Sequence, residues 1–585
     1  RLKIHSLPKI LLVKLFISIG ISKGEISMNW KYLIIILALI CLGQSQAIAQ
    51  KIEPINLAQG RPYKITATWP DPLFAKLEGQ YPDTNQVELT DGYLGEVCYQ
   101  DSAWQAFLRQ GNRIIEIDLG ETQTIYQIQG RFLQVHVAGV YVPRYIDYSL
   151  SLDGKDWYKV GHELTQVGPW NRENQVEVIS HKNLKHLARW VRLEFEADGN
   201  VFMDEIEVWG WLGKVEGAKT LEPIQGLLEL TQEDLESKKG VLKAGSKQAA
   251  GACNIALLTY AYPKNPQDGI WHSLEYLPYI TYISEEAVPI DWMFDTVLLC
   301  PQGTTPSGKQ LNATKISEAA TIVDWKWFLE ETFRPNQQIS ALNQAVGIGQ
   351  KLLNEPNKKI KVILTLINPS PLQRKFGSLE VSGEILNFDW NQVGIEQALK
   401  NRLSAIEWLM DQLLTRWEAE NPENLELIGF YWHPEAIGFQ FSPKEDTFIN
   451  KVADLVHKRG LKLFWIPFYG AEGSYNWQQY GFDVAILQPN YMFSEVGEER
   501  LKLVFEIAST LGMGVEIEKH WADGKREREI WQNYLRYGVK YGYSEAICAY
   551  YQGFKDFERA ALNYNTRFLY YESVYQFIKG KYQLE

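Results

Sequence analysis

The sequence predicts a multidomain chain, with an N-terminal antiparallel β-sandwich followed by a C-terminal (β/α)8 barrel. Three observations carry that prediction. Residues 56–210 hold short alternating segments between glycine-containing turns, and helical periodicity is absent there. From Cys253 onward, short β-branched or aromatic runs alternate with longer helical stretches, and eight such runs can be counted, the number a closed barrel needs. At 585 residues the chain is also too long for one ordinary core, since a domain holds about 100 to 200 residues.

Taken in chain order, Met28 opens a stretch that reads as a secretory signal spanning residues 28–49. Lys31 supplies the positive flank, residues 32–42 are unbroken apolar, and Ala47-Ile48-Ala49 before Gln50 fits the small-x-small cleavage pattern. A membrane anchor is the competing reading, but the run falls short of the roughly 20 residues that a span needs. Cys41 raises lipidation as a further alternative, against which Ile40 places a bulky residue just before the cysteine. Residues 1–27 are read as an upstream extension outside the translated protein. The expected location is therefore secreted (periplasmic, cell-surface or extracellular), with no stable membrane span.

A formal charge of −12 argues against a nucleic-acid partner, because phosphate-binding surfaces need an excess of Lys and Arg on one face. Cys98, Cys253, Cys300 and Cys548 are widely spaced without a CxxC pair, so neither a zinc site nor a disulfide scaffold is expected. Aromatic residues make up 13% of the chain, with 20 Trp and 31 Tyr. Flat apolar faces stack on sugar rings when exposed and fill cores when buried.

In the first half, strands are predicted over 113–118, 125–130, 145–152, 190–196 and 205–209, with turns at Leu119-Gly120-Glu121 and Asp153-Gly154-Lys155. Asn56-Leu57-Ala58, Leu89-Thr90-Asp91-Gly92, Trp104, the strand from Ile115 to Gly120, Tyr148-Ser149 through Asp153-Gly154, Ala188 to Leu193 and Glu205 to Gly210 occur in the order found in the discoidin (factor V/VIII type C) family, which this half resembles. The resemblance implies a jelly-roll sandwich, sugar binding and a structural calcium held by the carboxylates of Asp91 and Glu205. Trp69, Phe74, Tyr99, His136, Tyr141, Arg144 and Trp170 lie in inter-strand segments as candidates for a sugar platform, the alternative being loops that dock this half on the barrel. The sandwich is assigned to 51–212 and a linker to 213–250, in which Thr231 to Leu235 carries the N-cap and early acids of a short helix.

The barrel, 251–585, is assigned strands at 254–262, 296–300, 361–367, 425–432, 461–468, 483–487, 514–518 and 546–551, with helices such as 394–418 and 444–458 between them. In this fold chemistry sits at the carboxyl ends of the strands. The fourth strand ends in Gly429-Phe430-Tyr431-Trp432-His433-Pro434-Glu435. On the seventh, Glu516, Glu518 and His520 alternate with Val515 and Ile517, so the acids share the lumen face. Buried acids persist only when paired, hydrogen-bonded or functional.

Glycoside hydrolysis needs two facing carboxyl groups, one protonated and one ionised. The arrangement is similar to the large barrel clan of retaining glycosidases, and by that resemblance Glu435 is the acid/base and Glu518 the nucleophile, with Glu516 as the alternative second carboxylate. Pro434 stands where the clan has Asn. Trp432, His433, Asn368, Trp465, Tyr469, Tyr475, Trp477, Gln488, Asn490, Tyr491, His520, Trp521 and Tyr551 are the candidate substrate-binding residues, aromatic for stacking or neutral polar for hydroxyls. The phrases Gly429-Phe-Tyr-Trp, Ile466-Pro467-Phe-Tyr469, Gln488-Pro489-Asn490-Tyr491 and Gly514 to Glu518 also resemble a bacterial secreted domain family of unknown function often preceded by discoidin-like modules. The expected function is a secreted glycoside hydrolase acting on a polysaccharide or glycan without a catalytic cofactor. The alternatives are a non-catalytic glycan-binding surface protein and a barrel lyase or deacetylase.

Overall fold

Strict alternation of apolar and polar residues makes the first half a set of half-buried strands. The computed structural model describes residues 53–583 except Thr84, Asp198, 222–239, Thr314, Ser382 and Trp521. The upstream extension, the signal stretch with Cys41, the linker helix near Thr231 and Trp521 thus lie outside the described residues. The sandwich strands are β1 (Tyr63–Ala67), β2 (Gln105–Leu108), β3 (Asn112–Gln134), β4 (Tyr145–Ser151), β5 (Tyr158–Leu164), β6 (Gln175–His181), β7 (His186–Glu196) and β8 (Asn200–Trp211). The two segments read from sequence as separate strands around Gly120 are one long strand, β3. Its pairing with β7 breaks between Asp118 and Gln123, so its first half pairs with β1 and its second with β6 and β8. Ile115, Ile117, Ile128 and Phe132 of β3 meet Tyr148, Leu150, Val191, Leu193, Ile206 and Val208 in the core.

In the second half, eight parallel strands close into a barrel in sequence order: β9 (Asn254–Tyr260), β10 (Thr296–Pro301), β11 (Ile360–Leu366), β12 (Leu425–Trp432), β13 (Lys462–Trp465), β14 (Val484–Leu487), β15 (Gly514–Glu518) and β16 (Cys548–Tyr551). Helices α2 (Gln338–Leu353), α3 (Ile395–Glu420), α4 (Glu445–Lys458), α5 (Glu499–Leu511) and α6 (Lys525–Tyr541) intervene, α1 being Pro72–Glu78 in the sandwich. The link from β13 to β14 departs from the expected βα unit, with only a tight helical turn at Ser474–Tyr480. Ile255, Leu257, Leu298, Ile363, Phe464 and Ile486 fill the lumen, and Leu242, Ala249 and Ala252 join the same cluster from just before β9. No helix among the described residues is long and apolar enough to cross a membrane.

One irregularity sets what β12 presents to the lumen. Val362 pairs with Leu427 but Ile363 pairs with Gly429, so Ile428 is an extra residue in the ladder. A bulge of this kind reverses the side-chain parity of all that follows. Tyr431 joins the lumen cluster, and Trp432 joins the outer core. Only glycine fits at 429, where a Cβ would lie 2.2 Å from the Lys462 carbonyl oxygen.

The sandwich meets the barrel through its loop end. Asp71 caps α1 by accepting from the Leu73 and Phe74 amides and also receives the Arg500 guanidinium at 2.9 Å, with both side chains almost fully buried. Arg500 lies 3.8 Å over the Tyr469 ring, which Phe74 also faces in parallel. Arg144 pairs with Glu196 at 2.9 Å and lies 4.0 Å over Phe439, while Asn476 donates to Glu196 at 3.0 Å. His136 contacts the Gln440 carbonyl at 3.3 Å, and Arg109 stands over Phe468.

Candidate active site

A cavity of about 770 Å³ opens at the carboxyl ends of the strands. Glu435 and Glu516 both line it, together with Tyr431, Gln302, Phe468, Gln488, Asn490, Tyr551 and Phe554. Glu516 is buried on β15, directed inward by strand alternation. Glu435 arrives on the loop after β12, whose path is fixed by the Trp465 indole donating to the Pro434 carbonyl at 2.7 Å.

Glu518, also inward on β15, does not line the cavity. Its Oε2 accepts from the Tyr534 hydroxyl, while Oε1 is buried without a hydrogen-bond partner. Asn490 holds a left-handed backbone (φ 50°), a conformation to which Asn is suited. Of the two carboxylates expected from sequence as the second acid, Glu516 faces the open space, and Glu518 is turned to Tyr534.

Burial pushes Glu518 up to about 7, against the pull of the Tyr534 hydrogen bond. Burial first, then the charges of Glu518 and Glu435, hold Glu516 well above the usual carboxylate range. Glu435 is reached by water in the cavity, yet the enclosing walls raise its carboxyl too, while a hydrogen bond from Gln488 opposes that rise. Burial thus raises all three carboxyls, and the charges of Glu518 and Glu435 add to the rise at Glu516.

A second chamber of about 330 Å³ lies beside the first and shares Glu435 and Phe468 with it. His433, Asn312, Asn368 and Gln440 line this chamber. Burial lowers His433 to about 4, so its imidazole is neutral, and a ring N–H donates to the Pro301 carbonyl. Its Nδ1 lies 2.8 Å from the Asn312 amide nitrogen, which leaves Nε2 to carry the proton.

The other sequence candidates divide by packing. Gln488, Asn490 and Tyr551 line the main cavity; His433 and Asn368 line the second, where Asn368 also accepts from Arg402 at 3.1 Å. Trp432 packs against Phe448 of α4, Trp465 stacks on Phe482, and Trp477 is buried with its indole donating to the Leu511 carbonyl, so these three do not reach substrate space. Tyr491 accepts from Asn533, and Tyr469 and Tyr475 face the sandwich. His520 accepts from the Ala522 amide. Missed from sequence were Tyr431, hidden by the bulge at Ile428, Gln302 just beyond β10, and Asn312 and Gln440 in loops without a periodic signal.

In the sandwich, Trp69 and Phe74 pack on the barrel core, and His136 and Arg144 contact barrel residues. Tyr141 sits edge-on to His136, Tyr99 packs by Trp104, and Trp170 lies over Gly168. The first four side chains are half-buried and face the barrel, the docking alternative that the sequence left open. Asp91 is exposed, its Oδ1 accepting from the Tyr93 amide. Glu205 Oε2 accepts from the Gly92 amide at 3.0 Å, whereas Oε1 is buried without a partner. Burial, with a contribution from Asp91, pushes Glu205 up to about 8. An orphaned carboxylate oxygen near a second carboxylate fits a hard cation, although among the described residues no group of three or more His, Cys, Asp or Glu gathers there.

Fold and site together define a sandwich-bearing barrel protein with an acidic, aromatic-lined cleft. A family model described as "Domain of unknown function (DUF4855)" matches residues 255–576, and the chain belongs to that family. A search of the curated proteins returned no match. Among solved structures, similarity is found to chitosan-binding module 1 of a chitosanase/glucanase from Paenibacillus sp. IK-5 (15% identity, 27% of this chain, 99% of that one, TM-score 0.18). It is also found to CpGH89CBM32-5 from Clostridium perfringens in complex with GalNAc-β-1,3-galactose (16% identity, 26% and 99% covered, TM-score 0.18). A structure titled "Glycoside hydrolase" matches at 18% identity over 17% of this chain and 19% of that one, with a TM-score of 0.13.

Proposed function

We propose that this protein is a secreted glycoside hydrolase of (β/α)8 architecture, acting on a polysaccharide or glycan with Glu435 and Glu516 as its carboxyl pair. The observation that carries the reading is that these two acids share one cavity at the strand ends, where burial raises both carboxyls. Glu435 borders both chambers, so a chain lying through them carries a glycosidic oxygen past it. Its O–H gives the proton to that oxygen as the C1–O bond breaks, the bonding electrons leaving with the oxygen. Glu516, inside the main cavity, acts as its carboxylate: it either attacks C1 to form a glycosyl ester, which water then cleaves at C1 as Glu435 takes the water's proton, or itself takes the proton from the attacking water, and in both cases the water hydroxyl ends on C1. Glu518 is a positioning residue, oriented beside Glu516 by Tyr534. Asp91 and Glu205 would hold a calcium ion that fixes the loop at Gly92, and the docked sandwich backs the cleft residues Phe468 and Gln440 through Arg109 and His136.

The test is a broad glycan panel with product analysis, using the mature protein and its Glu435→Gln and Glu516→Gln variants. Sugar release by the parent and its loss in both folded variants is the expected result. Full release by both variants overturns the reading and leaves a glycan-binding role.

A further inference from the structure

The second chamber carries unmet hydrogen-bonding capacity of one kind. Asn312 Oδ1 and Gln440 Oε1 are buried without a partner, and both residues line the chamber. The Asn312 orientation is dictated from behind. The Pro301 carbonyl can only accept, which puts the His433 proton on the nitrogen facing it. The remaining ring nitrogen can only accept as well, so it takes the Asn312 N–H and leaves the amide oxygen over. In the main cavity Gln302 Oε1 is likewise buried and unpartnered. A buried acceptor without a donor is unfavourable, and a ligand that brings donors removes the penalty.

Charge narrows the class further. Among the described residues neither chamber is lined by a Lys or Arg, while Glu435 and Glu516 stand in the space. The guanidinium behind the second chamber, Arg402, is already neutralised by Glu445 at 2.5 Å. An acidic sugar would bring its carboxylate or sulfate against acids and orphaned acceptors with no cation to receive it.

We propose that the second chamber is the leaving-group subsite, built to hold a donor-rich sugar unit, uncharged or amine-bearing, through Asn312 and Gln440. The proposal rests on the hydrolytic reading of Glu435, which places the bond to be broken at the wall between the chambers. His433 acts here as a positioning residue, through Asn312.

The test uses the full mature chain with binding and turnover read separately. Calorimetry or saturation-transfer NMR on the Glu516→Gln protein is run with neutral disaccharides (cellobiose, mannobiose and lactose), the glucosamine disaccharide and digalacturonic acid. At least one neutral or amine-bearing disaccharide should bind, and more tightly than the digalacturonate. Adding Asn312→Ala or Gln440→Ala should each weaken that binding by tenfold or more, and the two variants check one another should either disturb the fold. In the Glu516-intact background the same two substitutions should raise KM for an oligosaccharide by more than they raise it for a 4-nitrophenyl glycoside, because an aryl leaving group needs no donor-acceptor match. Tighter binding of digalacturonate, no binding of any disaccharide, or wild-type affinity in both variants overturns the proposal. Binding as expected without hydrolysis by any form would instead sink the hydrolase reading and leave the subsite standing.

Discussion

Replacing Glu518 by Gln removes a carboxyl whose titration is tied to folding. Burial raises it from 4.5 to about 7 in the folded chain. The folded state therefore binds this proton more tightly than the unfolded one, so the contribution is full below pH 4.5 and is lost as pH climbs through 7. At about 1.36 kcal/mol per pH unit, the displacement is worth roughly 3 kcal/mol. His433, lowered from 6.5 to about 4, has the opposite sign, its cost falling away between pH 4 and 6.5. Glu205, raised to about 8, adds a loss of its own. Both contributions cancel when the variant is compared with the parent at each pH, whereas Glu516, raised in part by the Glu518 charge, is eased in the variant and acts in the same direction as Glu518. Urea denaturation from about pH 4.5 to 8 should show the parent losing roughly 3 kcal/mol relative to Glu518→Gln across that range. Any pH-independent cost of the new amide shifts the whole curve without changing its slope. A difference that stays constant with pH would refute the claim that Glu518 is buried, acidic and displaced by its surroundings.

Glu435→Gln should cost about 10² to 10⁴ in kcat on an unactivated glycan but tenfold or less on a 4-nitrophenyl glycoside, whereas Glu516→Gln should disable both; the reverse pattern would swap their roles. Asp71→Ala leaves Arg500 buried and unpaired at the sandwich–barrel contact and should lower unfolding stability by about 3 to 5 kcal/mol in urea titrations. Calcium at a hundredfold excess over its Kd should stabilise the protein by about 2.7 kcal/mol in calorimetry, an increment that Glu205→Gln abolishes and magnesium does not reproduce. Tyr431→Phe should alter kcat/KM with little change in stability, while Trp432→Ala should destabilise by about 3 to 5 kcal/mol, as expected if the bulge sends Tyr431 inward and Trp432 outward.

The sequence made the larger architecture readable because burial imposes periodicity. Two-residue alternation marked β3, β7 and β8, and eight apolar runs in the second half became eight barrel strands. Glu516 was legible for the same reason, with Val515 and Ile517 on either side of it facing the outer core. What escaped was whatever depended on non-local geometry. Nothing in the residues around Gly429 says that Ile428 is an extra residue in the ladder, so the aromatic assigned to the cleft was Trp432 and not Tyr431. Glu518 looked equivalent to Glu516 until Tyr534, sixteen positions away on α6, drew it aside. The loop aromatics of the sandwich carried no mark to tell a ligand platform from a docking face, because both use exposed rings and Arg in the same segments.

That docking face bears on engineering. Carbohydrate modules are commonly treated as exchangeable cargo, moved between proteins to redirect where they act. Here excision would strip the cover from Phe74, Trp69 and Tyr469 and unpair Asp71 from Arg500, exposing greasy surface and stranded charge on both fragments. A chimera assembled by swapping this half for another module would need a matching socket, and so the two halves are best mutated, expressed and inherited as one piece.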